Sequence, residues 1–185
     1  MRVVAGEFGG RRLRMPKGAG TRPTADRVRE ALFSMLGDLS GARVLDLYAG
    51  SGALGIEALS RGADSAVFVE RDRNAASVIE RNLADLGLKQ RVISDDALRF
   101  LDRRARGARE HSFPRGQGVF DVVFCDPPYD SGPRIAGTLA ERLPALLADN
   151  ARIVTESDKR NPLELSFPLV RERSYGDTRI AIHAR

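Results

Sequence analysis

Short apolar runs alternate with stretches of helical periodicity along most of the chain. Runs of four to six residues are typical of buried strands, and between them apolar residues recur three and four positions apart. The runs predict five strands, with the sequences RVLDLY, SAVFVE, RVIS, FDVVFC and ARIVTE. The stretches between them predict helices over 53–61, 72–86 and 97–104, and a further helix that carries Ile135, Leu139, Leu143, Leu146 and Leu147.

This alternation of strands and helices predicts the fold class. It is typical of an α/β protein with a doubly wound, Rossmann-like sheet that is mostly parallel. The final stretch, LVRERSYGDTRIAIHA, predicts two strands joined at 175–177, which would add an antiparallel pair at the C-terminus. We therefore expect residues 23–185 to form one Rossmann-like domain, with a mobile loop at 106–117, where glycines, a proline and several arginines cluster.

Two further features lie at the start of the chain. Residues 1–22 predict a small basic β-hairpin or arm, with short strands near 2–5 and 11–15 around the turn residues Gly9 and Gly10. A helix then follows Thr24, whose side chain can cap it, and Asp26 suits its first turn. The apolar face of this helix comprises Val28, Ala31, Leu32, Met35 and Leu36. Its arginines are expected off that face, together with the one that precedes it: Arg22, Arg27 and Arg29.

Positive charge is concentrated in the same region. The whole chain has a net charge of +5, whereas residues 1–29 carry eight basic and two acidic side chains, a net charge of +6, and the remainder carries −1. Such an asymmetry indicates a polyanionic partner, most commonly nucleic acid. From charge alone, a solvated basic arm without a partner is the alternative.

Composition narrows the class of protein further. The chain is 42% hydrophobic and 30% charged, as in globular proteins with a sizeable core, and no apolar run approaches the roughly 18 residues that span a membrane. A single cysteine, Cys125, cannot form an internal disulfide, which favours a reducing cytoplasm. With one cysteine and two histidines, we expect no transition-metal site.

A glycine-rich turn joins the first strand of the domain to its helix. In VLDLYAGSGALGIEAL, Gly50, Gly52 and Gly55 form a G-x-G-x-x-G pattern, which lets the backbone turn tightly and approach a ligand. The helix that follows points its first amide groups at any anionic part of that ligand. Glu70 lies twenty positions after Gly50, at the end of the second strand, where a carboxylate accepts hydrogen bonds from a ribose diol. Dinucleotide-binding proteins share this pattern.

Two more acids indicate which ligand binds there. Asp46 would repel a pyrophosphate but attract the ammonium group of an amino acid. Asp96 and Ala97 follow the third strand, where they can meet an adenine edge. An amine, a diol and an adenine are the groups of S-adenosylmethionine. A nicotinamide-dependent reductase is the more distant alternative, since the chain lacks room for the second domain that such enzymes usually carry.

The stretch FDVVFCDPPYD predicts a buried strand that stops abruptly. Pro127 and Pro128 end the strand because neither can donate a hydrogen bond to a ladder. Asp126 and Tyr129 are left at the carboxyl end of the strand, where ligands bind in open α/β sheets. Because side chains alternate along a strand, Cys125 is expected to point away from this site, which disfavours a covalent cysteine mechanism.

Together these motifs resemble those of class I S-adenosylmethionine-dependent methyltransferases. The D-P-P-Y element is similar to that of enzymes that methylate amino nitrogens of nucleobases or amides. The basic start, VVAGEFGGRRL and TRPTADRVREALFSML, resembles one family more narrowly, the RsmD-type 16S ribosomal RNA guanine-N2 methyltransferases. The resemblance covers most of the chain. It departs at 106–117, which looks inserted, and at Ser94, where the family often has glycine before the acid.

The resemblance implies a cofactor, a partner and a role for each motif. The cofactor is S-adenosylmethionine, and the partner is 16S ribosomal RNA within a 30S particle or its precursor. Apart from the resemblance, we expect no metal and no membrane partner, and nothing in the sequence demands more than a monomer. The implied catalytic residues are Asp126, Pro127 and Tyr129. The implied cofactor-binding residues are Asp46, Ala49, Gly50, Ser51, Gly52, Glu70, Arg71, Asp96 and Ala97. As a further hypothesis, the nucleic-acid-binding residues are Arg11, Arg12, Arg14, Arg22 and Arg27, which would hold phosphates.

The chemistry of the D-P-P-Y element suits a weak nucleophile. An exocyclic amine of a base is weak because its lone pair is delocalised into the ring. Hydrogen-bond acceptors on its two N–H bonds, the Asp126 carboxylate and the Pro127 carbonyl, would strengthen as positive charge develops on nitrogen. Tyr129 offers a stacking face to the base, a contact worth about 1–3 kcal/mol.

Three other functions stay open from the sequence. The nearest is an adenine-N6 methyltransferase on RNA or DNA, although Asp rather than Asn at position 126 favours it less. A protein-glutamine methyltransferase would not need the basic start of the chain. A non-catalytic RNA-binding assembly factor would keep the fold without turnover.

Overall fold

The structure, a computed structural model, describes residues 1–16, 26–105, 119–128 and 132–185. Over these ranges it contains five α-helices and seven strands. The helices are α1 (Asp26–Leu36), α2 (Ala53–Ser60), α3 (Arg73–Asp85), α4 (Ala97–Ala105) and α5 (Gly132–Arg142). The strands are β1 (Arg43–Leu47), β2 (Ser65–Glu70), β3 (Arg91–Ser94), β4 (Phe120–Cys125), β5 (Leu147–Asp158), β6 (Leu169–Tyr175) and β7 (Thr178–Ala184). None of the helices in these ranges has the length and apolar character needed to cross a membrane.

The seven strands form one sheet in the order β3-β2-β1-β4-β5-β7-β6. Strands β1 to β5 run parallel, and β7 pairs antiparallel with both β5 and β6. The fold class predicted from the sequence, a mostly parallel sheet with an antiparallel C-terminal pair, is confirmed. The strand order reverses between β1 and β4, and in open α/β sheets the crevice at the carboxyl ends of such strands is where ligands bind.

Helices cover both sides of the sheet. Alternate residues of the central strands, such as Val44, Phe124 and Val154, pack with apolar residues of α1, α2 and α3, and we call this side the α1–α3 face. The residues between them, such as Leu45 and Val123, pack with α4 and α5. Both sides being buried explains why these strands read as continuous apolar runs.

The connection between α5 and β5 differs from the prediction. The sequence predicted one helix through Leu147, whereas α5 ends at Arg142, Leu143–Leu146 forms a short 3-10 helix, and Leu147 begins β5. Pro144 accounts for the change, because it disfavours the α-conformation of the residue before it and removes a backbone donor. The three leucines are nevertheless buried, with Leu143 fully inaccessible to solvent.

Residues 1–16, which we call the N-terminal segment, pack on the α1–α3 side of the molecule. The amides of Val3 and Leu13 donate to the carbonyls of Arg11 and Met1, at 2.9 and 3.1 Å, as in an antiparallel hairpin. The two short strands predicted here amount to a single bridge, between Arg2 and Arg12. The side chains of Val3 and Leu13 enter the core, because they are 1% and 6% exposed.

This packing changes the environment of α1. Arg29 was predicted to lie off the buried face, but it is 1% exposed, so that prediction is wrong. Its guanidinium donates to the carbonyl of Arg2 and to Asp26, at 2.8 Å for the latter. The N-terminal segment covers a side of α1 that helical periodicity alone leaves to solvent. The predicted cap of this helix, Thr24, lies outside the described residues.

Candidate active site

The glycine loop, residues 48–52, leaves β1 and enters α2 at the carboxyl edge of the sheet. Gly50 and Gly52 have φ angles of 57° and 78°, which lie in the left-handed region that other residues rarely adopt. A side chain at Gly52 would also lie 3.1 Å from Ile79 of α3. At Gly55, in the first turn of α2, a Cβ would lie 2.3 Å from the ring of Phe68 in β2. Conformation and close helix–sheet packing therefore both require the glycine pattern.

Asp46 anchors the start of α2 from beneath the loop. It is 2% exposed, and its Oδ2 accepts a 2.9 Å hydrogen bond from the amide of Gly55. Burial raises the pKa of Asp46 to about 8, an effect that the hydrogen bond from Gly55 opposes and the charge of Glu70 reinforces. One of its two carboxyl oxygens is therefore already hydrogen-bonded within the protein.

Glu70 ties the end of β2 to the glycine loop. Its Oε2 accepts from the amide of Gly50 at 2.8 Å, and its Oε1 accepts from the amide of Asp72 at 2.8 Å. A carboxylate has about four acceptor positions, so Glu70 can still receive hydroxyl groups of a ligand. Sequence placed this carboxylate correctly at the strand end but did not foresee its bond to the loop.

The residues after β3 serve the helix that follows. Asp96 Oδ1 accepts from the amides of Leu98 and Arg99, at 3.0 and 3.1 Å, which caps the N-terminus of α4. Ala97 is 3% exposed within the core. Ala97 therefore offers little accessible surface to a ligand. Arg71, after β2, is exposed.

Tyr48 is a residue of this edge that the sequence analysis did not single out. Its φ of 61° is the one positive value recorded for a non-glycine residue in the described ranges, and such backbone strain often marks a functional site. Burial raises the pKa of Tyr48, with further increases from Cys125 and Asp96 that Arg71 opposes. The tyrosine therefore lies among groups of β2, β3 and β4. The signal was its position directly before Ala49 and Gly50.

Asp126 follows β4 beside a second acid that sequence reasoning missed. Leu47 of β1 pairs with Cys125, and Cys125 pairs with Thr155 of β5, so the next residues along β4 and β5 are Asp126 and Glu156. Asp126 is partly exposed, whereas Glu156 is 5% exposed. The signal for Glu156 was an acid at the end of the apolar run of β5, in the strand next to the D-P-P-Y element.

The charges of Glu156 and Asp46 act on the carboxyl group of Asp126. Burial raises the pKa of Asp126 well above its usual range, and the charges of Glu156 and then of Asp46 raise it further. Alternation along parallel strands places all three acids on the α1–α3 face. Pro127 is buried and Pro128 is exposed, while Tyr129 lies outside the described residues. A carboxylate that is this strongly destabilised is a better proton acceptor than an ordinary aspartate.

Cys125 meets the expectation for a buried small side chain. It is 1% exposed and packs on the α4–α5 side of the sheet, on the opposite face from Asp126. Burial raises the pKa of the thiol, and the charges of Asp126 and Asp46 raise it further. The thiol therefore stays protonated and does not act as a nucleophile.

The arginines predicted to bind nucleic acid fall into two groups. Arg11 and Arg14 bind the last turn of α3, through 3.0 and 2.9 Å hydrogen bonds to the Asp85 carbonyl and carboxylate. Arg12 and Arg27 are exposed, and no acidic partner is recorded for either in the described part of the chain. Arg22 lies outside it.

The strand order, the glycine loop under β1 and β2, and the acids at the ends of β1, β2 and β4 define a class. They are the fold and motifs of a class I methyltransferase, for which S-adenosylmethionine is the methyl donor.

Comparison with known proteins gives the family. The family described as Conserved hypothetical protein 95 matches residues 1–184. Ribosomal RNA small subunit methyltransferase D of Escherichia coli K12 is 37% identical over 195 residues, which cover 100% of this chain and 90% of the relative. The YlbH protein of Bacillus subtilis is 39% identical over 192 residues, 100% of this chain and 99% of the relative. The solved structure of E. coli yhhF superimposes with a TM-score of 0.80 at 35% identity and covers 100% of this chain and 97% of that one.

The chain therefore belongs to the Conserved hypothetical protein 95 family, together with the methyltransferase D proteins. The resemblance drawn from its motifs is confirmed.

Proposed function

We propose that this protein transfers a methyl group from S-adenosylmethionine to the exocyclic N2 amine of a guanine in 16S ribosomal RNA, within a 30S particle or its precursor in the cytoplasm. The name of the E. coli relative supports ribosomal RNA of the small subunit as the substrate. The D-P-P-Y element supports an amino nitrogen as the acceptor. The basic N-terminal segment supports a polyanionic partner.

One observation carries the proposal. Strands β1 and β4 are neighbours, with Leu47 paired to Cys125, and paired strands lie about 4.8 Å apart. The glycine loop and Asp126-Pro127 therefore leave adjacent strand ends on the same edge. A cofactor held by the loop and an amine held by Asp126 would lie within reach of each other, and much of the rate comes from such positioning.

The residues of this edge fit S-adenosylmethionine. Two left-handed glycines let the backbone turn tightly at the start of α2, and Glu70 at the end of β2 keeps acceptor positions for a ribose diol. Arg71, Asp96 and Ala97 would border the adenine. Asp46 would act mainly through the loop that it anchors. When bound, the cofactor supplies an electrophilic methyl group.

The chain itself supplies hydrogen-bond acceptors and a base. The Asp126 carboxylate and the Pro127 carbonyl accept hydrogen bonds from the two N–H groups of the amine. These hydrogen bonds localise the lone pair on nitrogen. Formation of the new C–N bond would break the methyl–sulfur bond of the cofactor, which would leave as S-adenosylhomocysteine. One N–H proton must then leave the nitrogen, and the Asp126 carboxylate takes it. The raised pKa of Asp126 favours this transfer. Tyr129 would stack on the guanine.

The test is transfer of labelled methyl from S-adenosylmethionine to unmodified 30S particles, free 16S RNA and duplex DNA, with the product nucleoside identified by mass. We expect N2-methylguanosine from the particle or the RNA. Methyladenosine would replace the guanine proposal with the adenine-N6 alternative. No transfer to any of the three, in a protein that binds the cofactor, would favour a protein substrate or an assembly factor.

A further inference from the structure

Asn82 joins three separate parts of the molecule through one buried side chain. It lies on α3 and is 1% exposed. Its Oδ1 accepts from the amide of Arg14 at 2.8 Å, and its Nδ2 donates to the carbonyls of Arg14 and Ser51, at 3.2 and 3.0 Å. Both amide hydrogens are thus used, one towards the N-terminal segment and one towards the glycine loop.

The N-terminal segment is attached to α3 at this point. Arg14 and Arg11 hold Asp85, which lies three residues after Asn82 on the same helix. Exposed ion pairs of this kind contribute little, about 0.2–1 kcal/mol. The buried contacts of Asn82 to the backbone of Arg14 are therefore the more specific part of the attachment.

The glycine loop rests on the same face of α3. A Cβ at Gly52 would lie 3.1 Å from Ile79, which is one turn before Asn82, so the loop and the helix are in close contact. Ser51 lies between the two glycines, and its carbonyl is the one that Asn82 holds. The next residue back, Gly50, is fixed by Glu70. A shift of the Ser51 carbonyl would therefore disturb the backbone that is expected to receive the cofactor.

We propose that Asn82 is a positioning residue that couples RNA binding on the N-terminal segment to cofactor binding at the glycine loop. This rests on the proposed function, since it takes the segment as an RNA-binding surface. RNA that immobilises the backbone at Arg14 immobilises Asn82, and Asn82 in turn holds Ser51 in the conformation that binds the cofactor. By thermodynamic linkage the cofactor tightens RNA binding by the same factor.

The coupling can be measured as a ratio of dissociation constants. Calorimetry of S-adenosylhomocysteine, with and without saturating unmodified 30S particles, gives this ratio directly. Allosteric couplings are typically about 5–150-fold, and we expect a tightening of several-fold in the wild type. In Asn82→Ala the ratio should fall to about 1. Glu80→Ala, an exposed change on the same helix, should keep the wild-type ratio.

A second variant separates the coupling from the stability of the fold. Asn82→Asp has the same shape and keeps an acceptor for the amide of Arg14, but its carboxylate cannot donate to the carbonyls of Ser51 and Arg14. It should lose the coupling, and its melting temperature measures how far a buried carboxylate facing two carbonyl oxygens destabilises the fold. If Asn82 had a purely structural role, its variants would change in stability and in their affinity for S-adenosylhomocysteine. The ratio of the dissociation constants measured with and without 30S particles would not change.

The outcomes distinguish this proposal from the proposed function. A wild-type protein that methylates 30S particles but shows a ratio of 1 overturns the coupling and leaves the function standing. Variants that fold and keep the wild-type ratio also overturn it. Failure of the wild type to bind or methylate the particles would overturn the function and the coupling with it.

Discussion

At the scale of single residues, the site is organised by carboxyl groups that resist ionisation. Asp46, Asp126 and Glu156 lie at the ends of β1, β4 and β5 on one face of the sheet, and the pKa values of Asp46 and Asp126 are both raised. The charges of Glu156 and Asp46 raise the pKa of Asp126 beyond the effect of burial, because like charges in a buried setting repel. The raised pKa of Asp126 therefore makes it a stronger proton acceptor than an exposed aspartate.

The pH dependence of methyl transfer should reveal the influence of Glu156 on Asp126. Asp126 acts as a carboxylate, so activity should rise as the pH increases through its raised pKa. Glu156→Gln removes one cause of that rise, and the acidic limb of the kcat profile should move to lower pH. The check is kcat against pH for both proteins, with Glu141→Gln, an exposed acid of α5, as the control. An acidic limb that stays in place or moves to higher pH would refute the link.

At the scale of elements, most helices and strands followed from the sequence. The limits of β3 were predicted to the residue, and Asp72 caps α3 through a 2.8 Å bond to the amide of Ala75, where the sequence placed the helix start. Local signals failed at Pro144, which interrupts an otherwise helical apolar pattern, and at Arg29. Arg29 is buried by tertiary packing of the N-terminal segment, and Pro144 ends the helix although the apolar pattern continues. Helical periodicity takes account of neither effect.

Glu57 shows an interaction between elements that periodicity cannot detect. It lies on α2, is fully buried, and accepts hydrogen bonds from the amides of Val4 and Ala5, at 2.7 and 3.0 Å, and from Arg61 at 2.7 Å. A single side chain of α2 thus satisfies two backbone donors of the N-terminal segment.

Removal of this carboxylate should destabilise the protein strongly. Glu57→Ala leaves two amides and the Arg61 guanidinium without their acceptor, and loss of one partner of a buried charged pair typically costs about 3–5 kcal/mol. The free energy of unfolding from urea titration measures this. Glu80→Ala, an exposed glutamate on α3, should change the free energy by less than about 0.5 kcal/mol. A similarly small loss in Glu57→Ala would contradict the role of Glu57.

At the scale of the whole molecule, some residues of the candidate site could be predicted from the sequence and others could not. The positions of Asp46, Glu70 and Asp126 could be predicted because Asp46 lies just before the glycine loop, Glu70 and Asp126 each end an apolar run, and parallel strands end at one edge. Glu156 could not be assigned, since its relation to Asp126 depends on the register of β4 and β5. Tyr48 is identified by its backbone angle, and its only signal in the sequence is its position directly before Ala49 and Gly50.

The arginines predicted to bind RNA likewise form two groups. Arg11 and Arg14 bind Asp85 within the protein, whereas Arg12 and Arg27 are exposed. Arg12→Ala and Arg27→Ala should each weaken binding to 30S particles and reduce the slope of log affinity against log salt by about 1, with little change in melting temperature. Arg14→Ala should lower stability as well, because it loses its bond to Asp85. Affinity measured at several salt concentrations tests this, and an unchanged slope in both exposed variants would exclude them as phosphate contacts.

The most direct measurement is the single-turnover rate of methyl transfer to 30S particles for the wild type and Asp126→Ala, at saturating S-adenosylmethionine, with cofactor affinity determined in parallel. If Asp126 aligns the amine and takes its proton, the rate should fall by about 10²–10⁴-fold, as expected for loss of a general base, while the cofactor still binds at the glycine loop. A variant that transfers methyl at the wild-type rate would show that the chemistry does not take place at the end of β4.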